Sequence, residues 1–153
     1  MIGRFETFTF ALDKISSSWN KIATEELKPF GRNGAYILYL IALFKHDEGL
    51  TSANLCKICN KDKADVSRGI KALESKGLVS RKKTTAKGYR AKITLTNEGR
   101  NITAALRERV KLIVEKAGAG LSDEQRENFY NALENISANL SKISKGGLQN
   151  EYI

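Results

Sequence analysis

Residues 50–100 read LTSANLCKICNKDKADVSRGIKALESKGLVSRKKTTAKGYRAKITLTNEGR, and this stretch decides the architecture. Its first part holds two short helices. Thr51 or Ser52 can cap a brief helix that ends at Cys59, with Leu55, Ile58 and Cys59 expected on its inner face. Asn60 and Lys61 form a tight turn. Asp62 then caps a helix over 63–76, with Asp65 near the reciprocal capping position and favourable at the positive helix end. Gly77 suits the left-handed position that follows a helix. Two runs that alternate apolar and polar residues come next, LVSRKK over 78–83 and AKITLT over 91–96. They flank a glycine-containing loop, 84–90, as the two strands of a β-hairpin do. Helix, tight turn, helix and hairpin make the winged form of the helix-turn-helix.

The second helix of such a unit has to be two-faced. At about 100° per residue, Val66, Ile70 and Leu73 fall in a narrow arc that can anchor it to a core. Ala64, Ser67, Arg68, Lys71 and Ser75 fall on the other side, and both acidic residues of the helix lie away from the centre of that face. Reading a major groove needs slender residues for close approach, hydroxyls for base edges or phosphates, and Arg for guanine. The hairpin adds Arg81, Lys82, Lys83, Lys87, Arg90 and Lys92 with no acid among them. Such a hairpin can follow the phosphate backbone and push a guanidinium into a minor groove. The plainer alternatives are a solvated helix face and edge-strand lysines that block pairing with other chains.

Charge is distributed accordingly. The 153 residues carry 26 Lys and Arg against 17 Asp and Glu, a formal net charge of +9. Residues 51–100 hold thirteen basic and four acidic groups, while 1–50 hold six of each and 101–153 seven of each. The whole excess therefore falls on the winged segment, which favours a polyanionic partner over a membrane surface.

Working outward, residues 4–27 form an amphipathic helix, with Phe5, Phe8, Leu12, Ile15, Trp19 and Ile22 along one stripe. Pro29 and Gly31 stop it, and Asn33 caps a second helix over 34–46, apolar nearly all round and so expected to be buried, with Gly49 as its stop. Thr96 or Asn97 opens a long helix to about residue 116, carrying Ile102, Leu106, Val110 and Ile113. Glycines 118 and 120 break it, and Ser122 with Gln125 forms a capping box for a last helix to about residue 143. That helix carries Phe129, Leu133, Ile136 and Leu140. The terminal stripes exceed what a 50-residue winged unit needs to cover itself, which points to dimerisation through intertwined helices. The expected organisation is one domain over 1–153, mainly α with a small β-hairpin wing. Within it, residues 50–100 form the DNA-binding core, and 1–32 and 101–145 the dimerisation helices.

The strings VSRGIKALESKGLV from Val66 and GYRAKITLTNEG from Gly88, in this order and spacing, resemble the core of the MarR family of bacterial transcriptional regulators. The flanking helices resemble it as well, over nearly the whole chain. The resemblance implies a homodimer that binds double-stranded DNA at a pseudo-palindrome. It also implies a repressor, less often an activator, released by small aromatic ligands or by thiol oxidation. The family's major-groove contacts map onto Lys63, Ala64, Asp65, Ser67 and Arg68, with Lys71 a turn further along. Its wing contacts map onto the region of Lys87, Tyr89 and Arg90, with Arg81 and Lys83 in the strand before it. Many members carry an acid in the wing that is missing here, and Arg90 is the favoured minor-groove residue. A ligand pocket is expected between the first two helices and the fifth, near Trp19, Phe30, Tyr36 and Tyr39, although aromatic residues there also serve as core.

Other chemistries are poorly supplied. Cys56 and Cys59 form a C-x-x-C, but zinc needs two more ligands and only His46 is at hand. The cysteines read as small buried hydrophobes, with a redox switch as the alternative. No metal or other cofactor is expected. No nucleophile–base pair marks an enzyme. The N-terminus lacks the apolar region of a signal peptide, and the most apolar run, 35–44, is about half a membrane span, so a cytoplasmic protein is expected. The rival class is a winged-helix module that binds protein or RNA.

Overall fold

The computed structural model describes residues 3–26, 28, 35–82 and 91–147. The elements run α1 (Arg4–Glu26), α2 (Ala35–Phe44), α3 (Ser52–Cys59), α4 (Lys63–Ser75), β1 (Val79–Lys82), β2 (Lys92–Leu95), α5 (Asn97–Ala117) and α6 (Asp123–Gly146). The architecture is mainly α with one antiparallel hairpin, as the sequence pattern predicts. The chain divides into two compact units, 1–109 and 110–153.

The core of the first unit forms where α2, α3, α4 and the hairpin meet. Ile37, Tyr39, Leu40 and Leu43 from α2 are buried together with Leu55, Val66, Ile70, Leu73, Leu78, Val79, Ile93 and, from α5, Leu106. The short helices hold their places through their ends. Thr51 and Asn54 form a reciprocal capping box at α3, and the Asp62 side chain accepts from the Asp65 amide at α4. Asn60 adopts φ +49, the left-handed conformation that Asn tolerates better than most residues, and so turns the chain between them.

Two glycines permit close packing. A Cβ on Gly69, in the middle of α4, would fall into the Tyr39 ring and touch the edge of Tyr36. A Cβ on Gly99 would collide with the Leu78 carbonyl, so the first turn of α5 lies directly on the chain entering the hairpin. There Thr96 donates through its amide to the Leu78 carbonyl (3.0 Å) and through Oγ1 to the Gly77 carbonyl (2.6 Å).

Several expectations are adjusted. Ile58 is 51% exposed, because α3 buries the line through Leu55 and Cys59 and turns toward Cys56 instead. Leu38 of α2 is also exposed. That helix ends at Phe44 and the chain turns before Gly49, whose φ is +84. Leu50 pairs with Ile93 through two backbone hydrogen bonds, adding a bridge to the sheet that the sequence pattern does not signal. Among the described residues β1 begins at Val79 rather than Leu78 and β2 is shorter than expected, in register from Val79 opposite Leu95 to Lys82 opposite Lys92. The expected roles of Pro29, Gly31 and Asn33 and of the loop 84–90 lie outside the described residues.

On α1 the apolar residues Phe5, Phe8, Leu12, Ile15, Trp19 and Ile22 are exposed, and the Glu26 carboxylate near its end accepts from Arg109 of α5. In the second unit, Ser122 and Gln125 form the expected capping box, and Arg126 donates to the Gly118 carbonyl at 2.8 Å. Phe129, Leu133, Ile136, Leu140 and Ile143 of α6 are exposed along one stripe.

Candidate nucleic-acid interface

The two faces of α4 separate as the periodicity predicts. Val66 and Ile70 are 0% exposed and Leu73 1%, so one side of the helix is sealed into the core. Lys63, Ala64, Ser67, Arg68, Lys71 and Ser75 are exposed on the other. A helix fixed along its whole inner face presents its outer residues as a rigid set. That is the condition for reading base edges by hydrogen bonds whose geometry has little tolerance.

Asp65 does not stand apart from this set. Its amide is fixed by Asp62 (2.8 Å), and its carboxylate accepts from Nη2 of Arg68, one turn further along. The only acid in the first turn of α4 is thus coupled to the Arg68 guanidinium on the exposed face.

In the wing, Arg81 has a partner within the chain. Its Nε donates to Oε1 of Glu74 across 3.0 Å, tying β1 back to the last turns of α4. Lys82 and Lys92 are register partners on adjacent strands. Like charges placed opposite one another are unfavourable in water, and Lys92 gains only a distant, 4.0 Å interaction with the exposed Glu48. A phosphate between two such strands would relieve that repulsion. Lys83, Lys87, Tyr89 and Arg90 lie outside the described residues.

The four aromatic residues marked for a ligand divide. Tyr39 is 1% exposed, and Tyr36 is partly buried beside it against Gly69. The Tyr39 hydroxyl has no hydrogen-bond partner among the described residues. Burial, with smaller contributions from Cys59, Asp65, Cys56 and Asp62, pushes its pKa up to about 12. Trp19 sits in the exposed stripe of α1, and Phe30 lies outside the described residues. Burial also raises the pKa of the Cys59 thiol, while Cys56 is half-buried. Among the described residues no group of three His, Cys, Asp or Glu could hold a metal ion. No helix among them is long and apolar enough to cross a membrane.

Sequence reasoning missed Glu74 as a partner of the wing and Tyr39 as the neighbour of α4. The signal for the second was available in Gly69, since glycine inside a helix costs about 1 kcal/mol against Ala and calls for a packing reason.

Comparison with known structures places this geometry. A Silicibacter pomeroyi transcriptional regulator of the MarR family superposes with a TM-score of 0.77, at 21% identity, over 99% of this chain and 97% of that one. The fold is that of the MarR family. MepR of Staphylococcus aureus, solved as a MepR–DNA complex, shares this MarR-type fold with a TM-score of 0.77 at 24% identity, over 90% of this chain and 99% of its own. In sequence, the chain is 29% identical over 106 residues to YdgJ of Bacillus subtilis, an uncharacterized HTH-type transcriptional regulator. That match spans 69% of this chain and 65% of YdgJ, just under two thirds of the relative's length. Residues 36–106 also match the family described as the B-block binding subunit of TFIIIC, a span that runs from α2 into α5 and contains the winged unit. The relatives with the MarR-type fold are thus transcriptional regulators, one of them solved on DNA, and the resemblance read from residues 50–100 agrees with the fold.

Proposed function

We propose that this chain is a MarR-type transcriptional regulator that binds double-stranded DNA in a sequence-dependent way. The observation that carries the reading is the outer face of α4, with Ser67, Arg68 and Lys71 exposed on a helix whose other face is sealed into the core. Lys63, Lys71, Lys82 and the cations of 83–90 supply phosphate contacts and hence affinity, while Ser67 and Arg68 read base edges. Arg90 is the proposed minor-groove residue.

The proposed acting form is a homodimer, a repressor working in the cytoplasm. Residues 1–32 and 101–145 form its dimerisation region, and the exposed apolar stripes of α1 and α6 support this. Two recognition helices then meet major grooves roughly 10 bp apart, on a pseudo-palindromic site. Release by a small aromatic ligand is part of the proposal, with Trp19 the exposed member of the aromatic set among the described residues. Quenching of the single tryptophan on titration with a phenolic acid tests that part.

Selection of bound DNA from a random pool tests the whole. The expected product is an enriched palindrome, bound more tightly than a scrambled fragment at every salt concentration. A pool without enrichment, together with tight binding to acidic protein or RNA, favours the interaction-module reading instead.

A further inference from the structure

We propose that Asp65 is a positioning residue for base readout: it holds the Arg68 guanidinium in the orientation that reads one base pair, without itself touching DNA. The inference rests on the DNA-reading function proposed above.

A carboxylate in the first turn of a DNA-reading helix needs an explanation. It is favourable at the helix N-terminus, but beside a major groove it repels phosphate. The explanation lies in its two contacts. Asp62 fixes the Asp65 backbone through a 2.8 Å bond to the amide, so the carboxylate starts from a rigid base. The carboxylate then accepts from Nη2 of Arg68, and among the described residues Arg68 forms no other ion pair. The Arg68 side chain is otherwise 70% exposed. A long exposed Arg samples many rotamers and loses that freedom when it docks on a base. Asp65 removes much of the freedom beforehand, using one N–H of the guanidinium and leaving its other donors to face outward. Bidentate recognition of guanine needs two parallel N–H groups aimed together. A tethered guanidinium meets that requirement, and a wandering one spreads its contacts over phosphates and neighbouring bases.

Lys71 and Lys63 provide a contrast within the same helix. Both are exposed, and no ion pair involving either is seen among the described residues, which suits sequence-independent phosphate contact. The geometry therefore separates a tethered reader from untethered cations on one face.

The experiment starts from the palindrome enriched by the full-length wild-type protein. Each base pair of one half-site is substituted in turn, and binding is measured for wild type, Asp65→Asn, Arg68→Ala and the double variant, with thermal melts to confirm folding. Asp65→Asn is expected to lose about ten-fold discrimination at the base pair where Arg68→Ala also loses it. Its affinity for scrambled DNA is expected to rise, because a negative charge has gone. The double variant is expected to discriminate no worse than Arg68→Ala alone. Unchanged discrimination in Asp65→Asn overturns the proposal. So does a loss at a base pair that Arg68→Ala leaves intact, which would make Asp65 a direct reader. A random pool that yields no enriched sequence overturns the DNA-reading function itself, and is told apart by occurring before any variant is made.

Discussion

Arg81 on β1 donates through Nε to the Glu74 carboxylate on α4 across 3.0 Å, so the first cation of the wing is already engaged by that helix. If that face binds DNA, removing the Glu74 charge unmasks a cation. Glu74→Gln is expected to tighten binding to all sequences and to steepen the dependence of log K on log salt by about one unit. Arg81→Ala is expected to leave the slope nearly unchanged. Either substitution should cost stability only about 0–1 kcal/mol, as for other partly exposed pairs. Salt titrations of binding to one fragment check both, and a full unit of slope lost in Arg81→Ala would mean that Glu74 does not mask it.

Tyr39 carries its hydroxyl into the core unpartnered. Replacing it with Phe is expected to be neutral or mildly stabilising near pH 8, because burying an unsatisfied hydroxyl costs about 1–3 kcal/mol. The alkaline limb has a definite sign. A folded-state pKa raised from 10.0 to about 12 gives stability that is intact below pH 10 and is lost as pH rises toward 12. Denaturant melts across that range should show wild type losing ground to Tyr39→Phe, with the two curves parallel below pH 9.

Gly69 exists to admit the Tyr39 ring. Gly69→Ala forces a Cβ into an enclosed aromatic and is expected to destabilise by about 1–3 kcal/mol despite the better helix propensity of Ala. In a Tyr39→Leu background the penalty should disappear. A cycle of melts on the four proteins measures the coupling.

Much of this was legible in residues 50–100. The caps at Thr51 and Asp62, the turn at Asn60 and the arc of Val66, Ile70 and Leu73 all follow from rules that act within a few residues. What was not legible depends on residues distant in sequence. The Leu50–Ile93 bridge, the Arg81–Glu74 link and the fit of Gly69 to Tyr39 are set by how the elements meet. Ile58 shows the limit from within a helix. Two turns carry apolar residues at both 55 and 58, and only the packing of α3 chooses which side turns inward.

That choice has a measurable consequence. Leu73→Ala, at 1% exposure, is expected to cost about 2–5 kcal/mol through lost burial and the cavity left behind. Ile58→Ala should stay within about 0.5 kcal/mol. Equal losses at the two positions would show that Ile58 is covered in solution.

Cys59 should be chemically quiet. Its thiol is buried and its pKa raised, so little thiolate exists near neutral pH. Labelling the native protein with a disulfide reagent at pH 7.5 is expected to spare Cys59 and to reach it only after denaturation. Rapid native labelling there would revive the redox-switch alternative.

Gly99 sets the first turn of α5 on the Leu78 carbonyl with no side chain between them. The joint has no cushion, so any side chain at 99 would have to prise the start of α5 away from the root of the wing. Whatever fixes the start of α5 therefore also fixes the entry to β1 at Leu78, and the two are seated by one contact.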